Sequence, residues 1–241
     1  MSSACTQDIF RALRRESVAL WAWVLAFLAG WLNGAGFLEF GQTLSHMTGN
    51  LTKLGFAATG DVKEPVLLFG LMLIGFLAGA TLSGFAFPQH RMAQWRRCGL
   101  VVLYAGVLLL VVELLFAASS ALRITMISLV MGAQNGLAMR YQGVLARTTH
   151  VTGHLTDCAA ALGRILHQKT WRGPNGKLLL FHVMCLVSFL LGVVLNGLYG
   201  PALERQLPVS TVSLAGIVYV LLGVGTLMCK RTPREEASLE N

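Results

Sequence analysis

Charged side chains are scarce in this sequence. Only 12% of its 241 residues are Asp, Glu, Lys or Arg, and 55% are hydrophobic, whereas soluble proteins carry roughly 25% charged residues. The mean hydropathy is positive. These values exclude an ordinary soluble domain. Because lipid cannot bond open backbone groups, we predict an all-α integral membrane protein with the lipid bilayer as its surroundings.

Motifs of metal centres and enzymes are missing as well. The five cysteines form no C-x-x-C pair and no His/Cys cluster at zinc-finger spacing, which predicts neither a disulfide framework nor a thiolate metal site. The sequence also lacks a Walker loop, a G-x-S-x-G elbow, an H-E-x-x-H helix and a dinucleotide-binding fingerprint. We therefore predict that the protein is not an enzyme and has no cofactor.

Long apolar runs are what the sequence has in abundance. A helix of about 20 apolar residues crosses the hydrocarbon core of a bilayer. The first run follows basic residues as a signal peptide would, but it is longer and lacks an A-x-A-like cleavage site, so we interpret it as an uncleaved helix. Six runs meet the length requirement, at about residues 18–38, 65–87, 99–118, 122–139, 177–199 and 209–229.

The basic residues indicate how these spans are oriented. The net charge is +8, and the Lys and Arg residues cluster in alternate segments, at 11–15, 91–97, 164–177 and 230–234. This layout is typical of a membrane protein rather than of a nucleic-acid-binding face, so we predict no nucleic-acid partner. Since cytoplasmic loops carry the excess of Lys and Arg, both termini are predicted to be cytoplasmic.

The chain contains an internal repeat. Gly30-Trp-Leu-Asn-Gly34 recurs as Gly132-Ala-Gln-Asn-Gly136, and the segment 45–52 (SHMTGNLT) recurs at 149–156 (THVTGHLT). Residues 79–84 (GATLSG) pair with 192–197 (GVVLNG) in the same order. Each half has three predicted spans, and an odd number inverts the second half, as in many transporters. We predict a 3+3 inverted repeat: 1–17 cytoplasmic segment, 18–118 first repeat, 119–230 second repeat and 231–241 cytoplasmic tail.

Two segments, at about 40–60 and 141–163, are too polar for a full span and too apolar for an ordinary loop. We predict that each is re-entrant or interfacial, dipping from opposite sides, with its T-G-x-L-T turn near the deepest point. Backbone that is not helical is tolerated at such depth only where protein buries it or where it lines a cavity.

The pattern H-M-T-G-N-L-T after a G-x-x-N-G helix, followed by R-T-T-x-V-T-G at 147–153, resembles the YoaK family of uncharacterised bacterial inner-membrane proteins. The resemblance extends over nearly the whole chain. It implies a small multi-pass protein of the bacterial cytoplasmic membrane, and it implies no particular biochemical activity.

The repeated motif supplies the candidate pathway for a small polar solute or ion. Glycine lets the backbone approach another group closely, and threonine hydroxyls bind dehydrated ions or polar solutes. The alternative is that the threonines cap helices and bond backbone carbonyls. The candidate pathway residues are Thr48, Gly49, Asn50, Thr52, Thr152, Gly153, His154 and Thr156.

Ionisable residues near or inside the predicted membrane region are the next candidates, because such residues are costly there and often functional. Lys53 and Asp157 occupy equivalent repeat positions and are candidates for charge selectivity or gating; the alternative is that both are solvated at the interface. His46, His150 and Glu113 are possible proton carriers. For Glu113, bonding to neighbouring helices or reaching the outer interface is the alternative.

Metal binding and helix packing complete the predicted sites. His150, His154 and Asp157 share one helical face if the helix is unbroken, and they are weak metal candidates because Gly153 is expected to interrupt it. Small residues at G-x-x-x-G spacing predict close helix contacts, either between the two halves of the chain or between the protomers of a homodimer. The predicted packing residues are Gly30, Asn33, Gly34, Gly75, Gly79, Gly132, Asn135 and Gly136.

The leading hypothesis is a small permease or channel-like carrier with its pathway at the two T-G-x-L-T segments. The alternative is a membrane scaffold or sensor that does not transport, and a membrane metalloenzyme is a weaker third reading. A polar cavity that reaches both segments favours transport, and a dry, packed interface favours the scaffold. Convergence of three or more of the His and Asp side chains favours the enzyme.

Overall fold

The protein is helical in this computed structural model, which describes residues 2–60, 66–87, 95–116, 120–137, 139–141, 144–207 and 209–229. The helices are α1 (Ser2–Phe40), α2 (Met47–Thr59), α3 (Val66–Ala86), α4 (Trp95–Phe116), α5 (Ser120–Gly136), α6 (Val151–Gln168), α7 (Pro174–Gln206) and α8 (Thr211–Met228). Lys63, residues 91–94 of the basic loop, residues 117–119 and the predicted 231–241 tail lie outside the described residues.

Five of the described helices are long and apolar enough to cross a membrane. They include residues 17–40 of α1 together with α3, α4, α7 and α8. Their outer faces carry large apolar side chains that no other described residue covers, such as Leu77, Leu114 and Leu198, each more than 60% exposed. Large exposed apolar surfaces of this kind are rare on soluble monomeric proteins. The described helices are thus those of an integral membrane protein, as the composition predicted.

Helix α5 is shorter than the run that predicted it. Its 17 residues end at Gly136, and residues 139–141 (β1) and 144–146 (β2) then form a short antiparallel hairpin. At 1.5 Å per residue such a helix is about 25 Å long, at the lower limit for crossing a core of about 30 Å. The six-span count therefore stays a prediction, and it depends on α5.

The helices pack in matched pairs. Helix α1 packs on α7, α3 on α5, and α4 on α8. Glycines at the first two contacts let the backbones touch, since a Cβ at Gly30 would meet the Phe189 carbonyl and a Cβ at Gly132 would meet the Phe76 carbonyl. The predicted packing glycines thus join α1 to α7 and α3 to α5 within one chain. The homodimer stays a prediction, and it would need other surfaces.

Short signals in the sequence set several helix ends. Helix α2 ends at Gly60, which adopts a left-handed φ of 83°, a conformation that glycine adopts without strain. Helix α7 has a proline in its first turn after Gly173, where the missing N–H costs nothing. The Ser210 side chain accepts a hydrogen bond from the Ser213 N–H at the start of α8.

The repeated T-G-x-L-T motifs are helical, which corrects the predicted turn. Thr48–Thr52 lie within the first turns of α2, and Thr152–Thr156 lie within those of α6. Gly153 does not interrupt α6, which continues from Val151 to Gln168. The glycines were expected to bend the backbone, but they serve to accommodate a neighbouring imidazole.

Candidate functional site

A cavity of about 840 Å³ lies where the two copies of the repeated motif meet. Helices α1, α3, α5 and α7 surround it, and the first residues of α2 and α6 open onto it. Six residues of the first half line it together with their counterparts: Asn33 and Asn135, Ser45 and Thr149, His46 and His150, Met47 and Val151, Thr48 and Thr152, Phe76 and Phe189. The cavity is therefore built twice from equivalent residues.

The first turns of α2 and α6 give the cavity its electrostatic character. The N-terminal N–H groups of a helix lack partners within the helix, and they carry a partial positive charge. His46 and His150 are the N-cap residues, and neither side chain makes a capping hydrogen bond. Among the described residues, no Asp, Glu, Lys or Arg lines this cavity. Its polarity comes from helix ends, hydroxyls, amides and imidazoles.

Each imidazole is held above the first turn of its helix. A Cβ at Gly49 would collide with the His46 ring, and a Cβ at Gly153 would collide with the His150 ring. The glycine three residues after each histidine therefore leaves the space that the ring occupies. The motif H-x-T-G predicts this arrangement only once the helix start is known.

Two asparagines form hydrogen bonds with the segments that lead into α2 and α6. Asn33 Nδ2 donates to Ser45 Oγ over 2.9 Å, and Asn33 Oδ1 accepts from the Ser45 N–H over 3.0 Å. In the second half, Thr149 Oγ1 donates to Asn135 Oδ1 over 2.6 Å. The two asparagines were predicted to be residues of the helix–helix contacts. They instead hold the entry of each motif against the preceding helix, because that segment needs partners for its polar groups.

The motif threonines fall into two groups. Thr48 and Thr152 line the cavity. The hydroxyls of Thr52 and Thr156 donate to the carbonyls four residues earlier, over 3.0 and 2.9 Å. That bond is the ordinary structural role of threonine within a helix. The sequence could not separate the groups, since all four threonines stand in the same repeated pattern.

Lys53 and Asp157 do not pair with each other. Lys53 Nζ donates to Gln42 Oε1 over 2.6 Å and lies 5.8 Å from the centroid of the Phe69 ring. Asp157 Oδ2 lies 3.9 Å from Nε2 of His182. Phe69 and His182 each stand ten residues before the glycines at 79 and 192. Lys53 and Asp157 therefore contact residues at equivalent positions of the two repeats, the first on α3 and the second on α7.

His154 and His182 form a buried pair that the sequence reading missed. Their Nδ1 atoms lie 2.8 Å apart, and both residues are at most 4% exposed. Burial, followed by the charge of His182, lowers the pKa of His154 to about 4, so this imidazole is neutral at pH 7. The signal in the sequence was a single histidine within the apolar run of α7.

The weak metal candidates do not converge. Across the described parts of the chain, no three His, Cys, Asp or Glu side chains come together as a metal site. His150 faces the cavity, whereas His154, one turn later, turns to His182. Asn50 is the counterpart of His154, and it is buried with its amide donating to the Thr43 carbonyl over 3.2 Å. Neither Asn50 nor His154 lines the cavity, although both were predicted to contact solute.

A sequence-family profile described as "Protein of unknown function (DUF1275)" matches residues 21–224. The chain belongs to this family. The match extends over α2 to α7, about half of α1 and most of α8, and it includes both copies of the repeated motif. No curated protein and no solved structure matches the chain. The resemblance to the YoaK family therefore stays a prediction, and the family description assigns no activity.

In this DUF1275 protein a second cavity, of about 740 Å³, is lined by Glu39, Glu113, Arg123 and Glu204. We term it the acidic vestibule. Arg123 donates to both Glu113 oxygens, over 2.8 and 3.0 Å, and its guanidinium also contacts Glu39. Glu113 was predicted as a possible proton carrier, with bonding to neighbouring helices as an alternative. Its partner comes from α5, which the sequence could not reveal.

Between the central cavity and the acidic vestibule lies a buried amide without partners. Asn196 is fully buried, and neither its Nδ2 nor its Oδ1 makes a hydrogen bond within the described structure. Its side chain lies next to Gly34, which lines the central cavity. It also lies next to Gly200, which lines the vestibule. An unsatisfied buried amide costs about 1–3 kcal/mol. Its repeat counterpart, Ser83, donates to the Ala133 carbonyl over 2.6 Å.

Proposed function

We propose that this protein is a small membrane permease or channel-like carrier for a small polar solute, with its pathway through the central cavity. The observation that carries the proposal is the double lining of that cavity by both copies of the motif, including Thr48 and Thr152. Its volume of about 840 Å³ is in the range of small-molecule sites. A dry and tightly packed contact between the copies would have favoured a scaffold.

The lining suggests the chemistry of the solute. Two helix N-termini favour electronegative atoms, as they do at the broken helices of known transporters. The acidic vestibule opposes the entry of a free anion, since three carboxylates surround one guanidinium there. A neutral or zwitterionic solute with oxygen acceptors satisfies both conditions. Phe76 and Phe189 on opposite sides of the cavity would contact its apolar part.

Asn196 gives this route a second polar contact. A solute that passes from the vestibule to the cavity would meet an amide with a free donor and a free acceptor. Buried polar groups left unpaired in a native structure are rare and call for an explanation. Passage of solute or water beside this amide would provide one.

We further propose that the helices form six spans in a 3+3 inverted repeat, in the bacterial cytoplasmic membrane with both termini cytoplasmic. Equivalent glycines support the repeat. Gly30 and Gly132 each contact a phenylalanine carbonyl of the partner helix, at Phe189 and Phe76. The vestibule would then open to the outside.

Flux into liposomes tests the function. Purified protein is reconstituted and assayed with a panel of radiolabelled neutral, zwitterionic, anionic and cationic solutes. We expect uptake of a neutral or zwitterionic solute, and we expect Thr48→Ala/Thr152→Ala to reduce it by at least about tenfold, because a lost bond worth about 1.4 kcal/mol changes a rate tenfold. Thr52→Ala/Thr156→Ala is the matched control, since those hydroxyls bond within their own helices.

Equal loss in both double variants would contradict the assignment of the pathway to the cavity. Folded wild-type protein that moves none of the solutes would contradict the transport proposal. Capture of partner proteins would then test the scaffold reading.

A further inference from the structure

His154 and His182 are close enough to share a proton. With 2.8 Å between the two Nδ1 atoms, one nitrogen must carry hydrogen and the other must accept it, because two lone pairs or two N–H groups would repel. The pair joins α6 to α7, and both rings pack against Phe181. The two side chains therefore form one titrating unit rather than two separate histidines.

Asp157 determines which nitrogen carries the hydrogen. Its carboxylate, 43% exposed, lies 3.9 Å from His182 Nε2, so hydrogen on Nε2 is favoured. His182 Nδ1 is then the acceptor and His154 Nδ1 the donor. This leaves a lone pair on His154 Nε2, a buried atom without a hydrogen-bond partner in the described structure.

We propose that Asp157, His182 and His154 form a proton relay between the buried Nε2 atom of His154 and solvent. A proton that binds His154 Nε2 releases the Nδ1 proton to His182 Nδ1, and His182 passes its Nε2 proton to Asp157. Each imidazole gains one proton and loses one, so both end neutral with their tautomers exchanged. The same steps in reverse carry a proton inward.

The neighbouring groups favour this relay over a metal site. A metal held by two nitrogens at about 2.0 Å would push them well beyond 2.8 Å. Besides Asp157, the titratable group that faces His154 is His150, the N-cap residue of α6. The Arg147 backbone carbonyl also lies by His154 and favours its protonated form.

The relay can be tested whether or not the protein transports a solute. The full chain, labelled with ¹⁵N-histidine, is placed in lipid nanodiscs, and each imidazole is assigned by a single substitution. We expect nitrogen-to-nitrogen coupling across the Nδ1 pair, whose two atoms lie 2.8 Å apart. Asp157→Asn should slow exchange of the shared proton with solvent by about tenfold or more. His167→Gln, on the same helix, is the matched control.

Absence of this coupling, with both imidazoles observed and assigned, would overturn the shared site. Unchanged proton exchange in Asp157→Asn, with the coupling intact, would overturn the relay. Addition of Zn²⁺ that shifts both imidazoles at stoichiometric concentration would also overturn it, in favour of a metal site.

Discussion

At the scale of single residues, the cavity depends on two glycines that have no side chain. Gly49 and Gly153 lack the Cβ that would collide with His46 and His150. Each imidazole can therefore lie over the start of its own helix, where it lines the cavity. A histidine followed three residues later by a glycine therefore determines where the imidazole lies. It does not introduce a turn of the backbone.

This reading predicts opposite effects for alanine at two classes of glycine. Gly49→Ala and Gly153→Ala should destabilise the protein by about 1–3 kcal/mol, because the added methyl group forces the imidazole aside. Gly55 and Gly163 lie on the same two helices, and a methyl group added at either position would have no atom within 4 Å. Gly55→Ala and Gly163→Ala should stabilise the protein by about 0.5–1 kcal/mol through helix propensity. Denaturation in mixed micelles measures both, and equal effects would contradict the steric reading.

His154 predicts how stability depends on pH. Its pKa is about 4 in the folded protein, against about 6.5 for an unperturbed histidine, so between those values the unfolded chain binds more protons. Stability should be complete above about pH 6.5 and should fall by up to about 3 kcal/mol as the pH approaches 4. Substitution by Gln should remove this part of the dependence. His167→Gln should retain it, and a loss in both variants would contradict the assignment.

At the scale of helices, the sequence indicated positions better than partners. The apolar runs predicted α3, α4, α7 and α8 to within a few residues at most ends, because hydrophobic length fixes a span. The end of α5 was missed because residues 137–139 are as apolar as a helix needs, although a hairpin follows there. Contacts such as Arg123 with Glu113 join different helices, so no local pattern records them.

The contact between α3 and α5 provides an element-scale prediction. Gly79 and Gly132 face backbone atoms of the opposite helix, whereas Gly84, also on α3, faces open space. Gly79→Ala and Gly132→Ala should each cost about 1–3 kcal/mol, since rigid backbone cannot yield as a flexible side chain does. Gly84→Ala should cost nothing. The fraction folded in an SDS titration measures the difference, and tolerance of Gly132→Ala would indicate that the helices separate readily.

At the scale of the whole molecule, the repeat predicts orientation. If α5 crosses the membrane, Ser120 at its start and His167 in the last turn of α6 lie on opposite sides. Single cysteines introduced there by Ser120→Cys and His167→Cys, in a chain whose native cysteines are replaced, should react with an impermeant maleimide from opposite faces. Right-side-out and inverted vesicles provide the measurement. Labelling of both from one face would show that the six-span arrangement is wrong.

The pairing of α1 with α7 also has a consequence for how the protein is made. Helix α1 leaves the ribosome early, but the helix that covers its glycine face begins at Pro174. Until then the first helices occupy the membrane without their final neighbours, and α3 likewise waits for α5. Neither half of the chain holds a complete set of contacts. Assembly is therefore a late event in biogenesis, and a nascent chain that stalls in the fifth helix leaves the insertion machinery with an unfinished bundle.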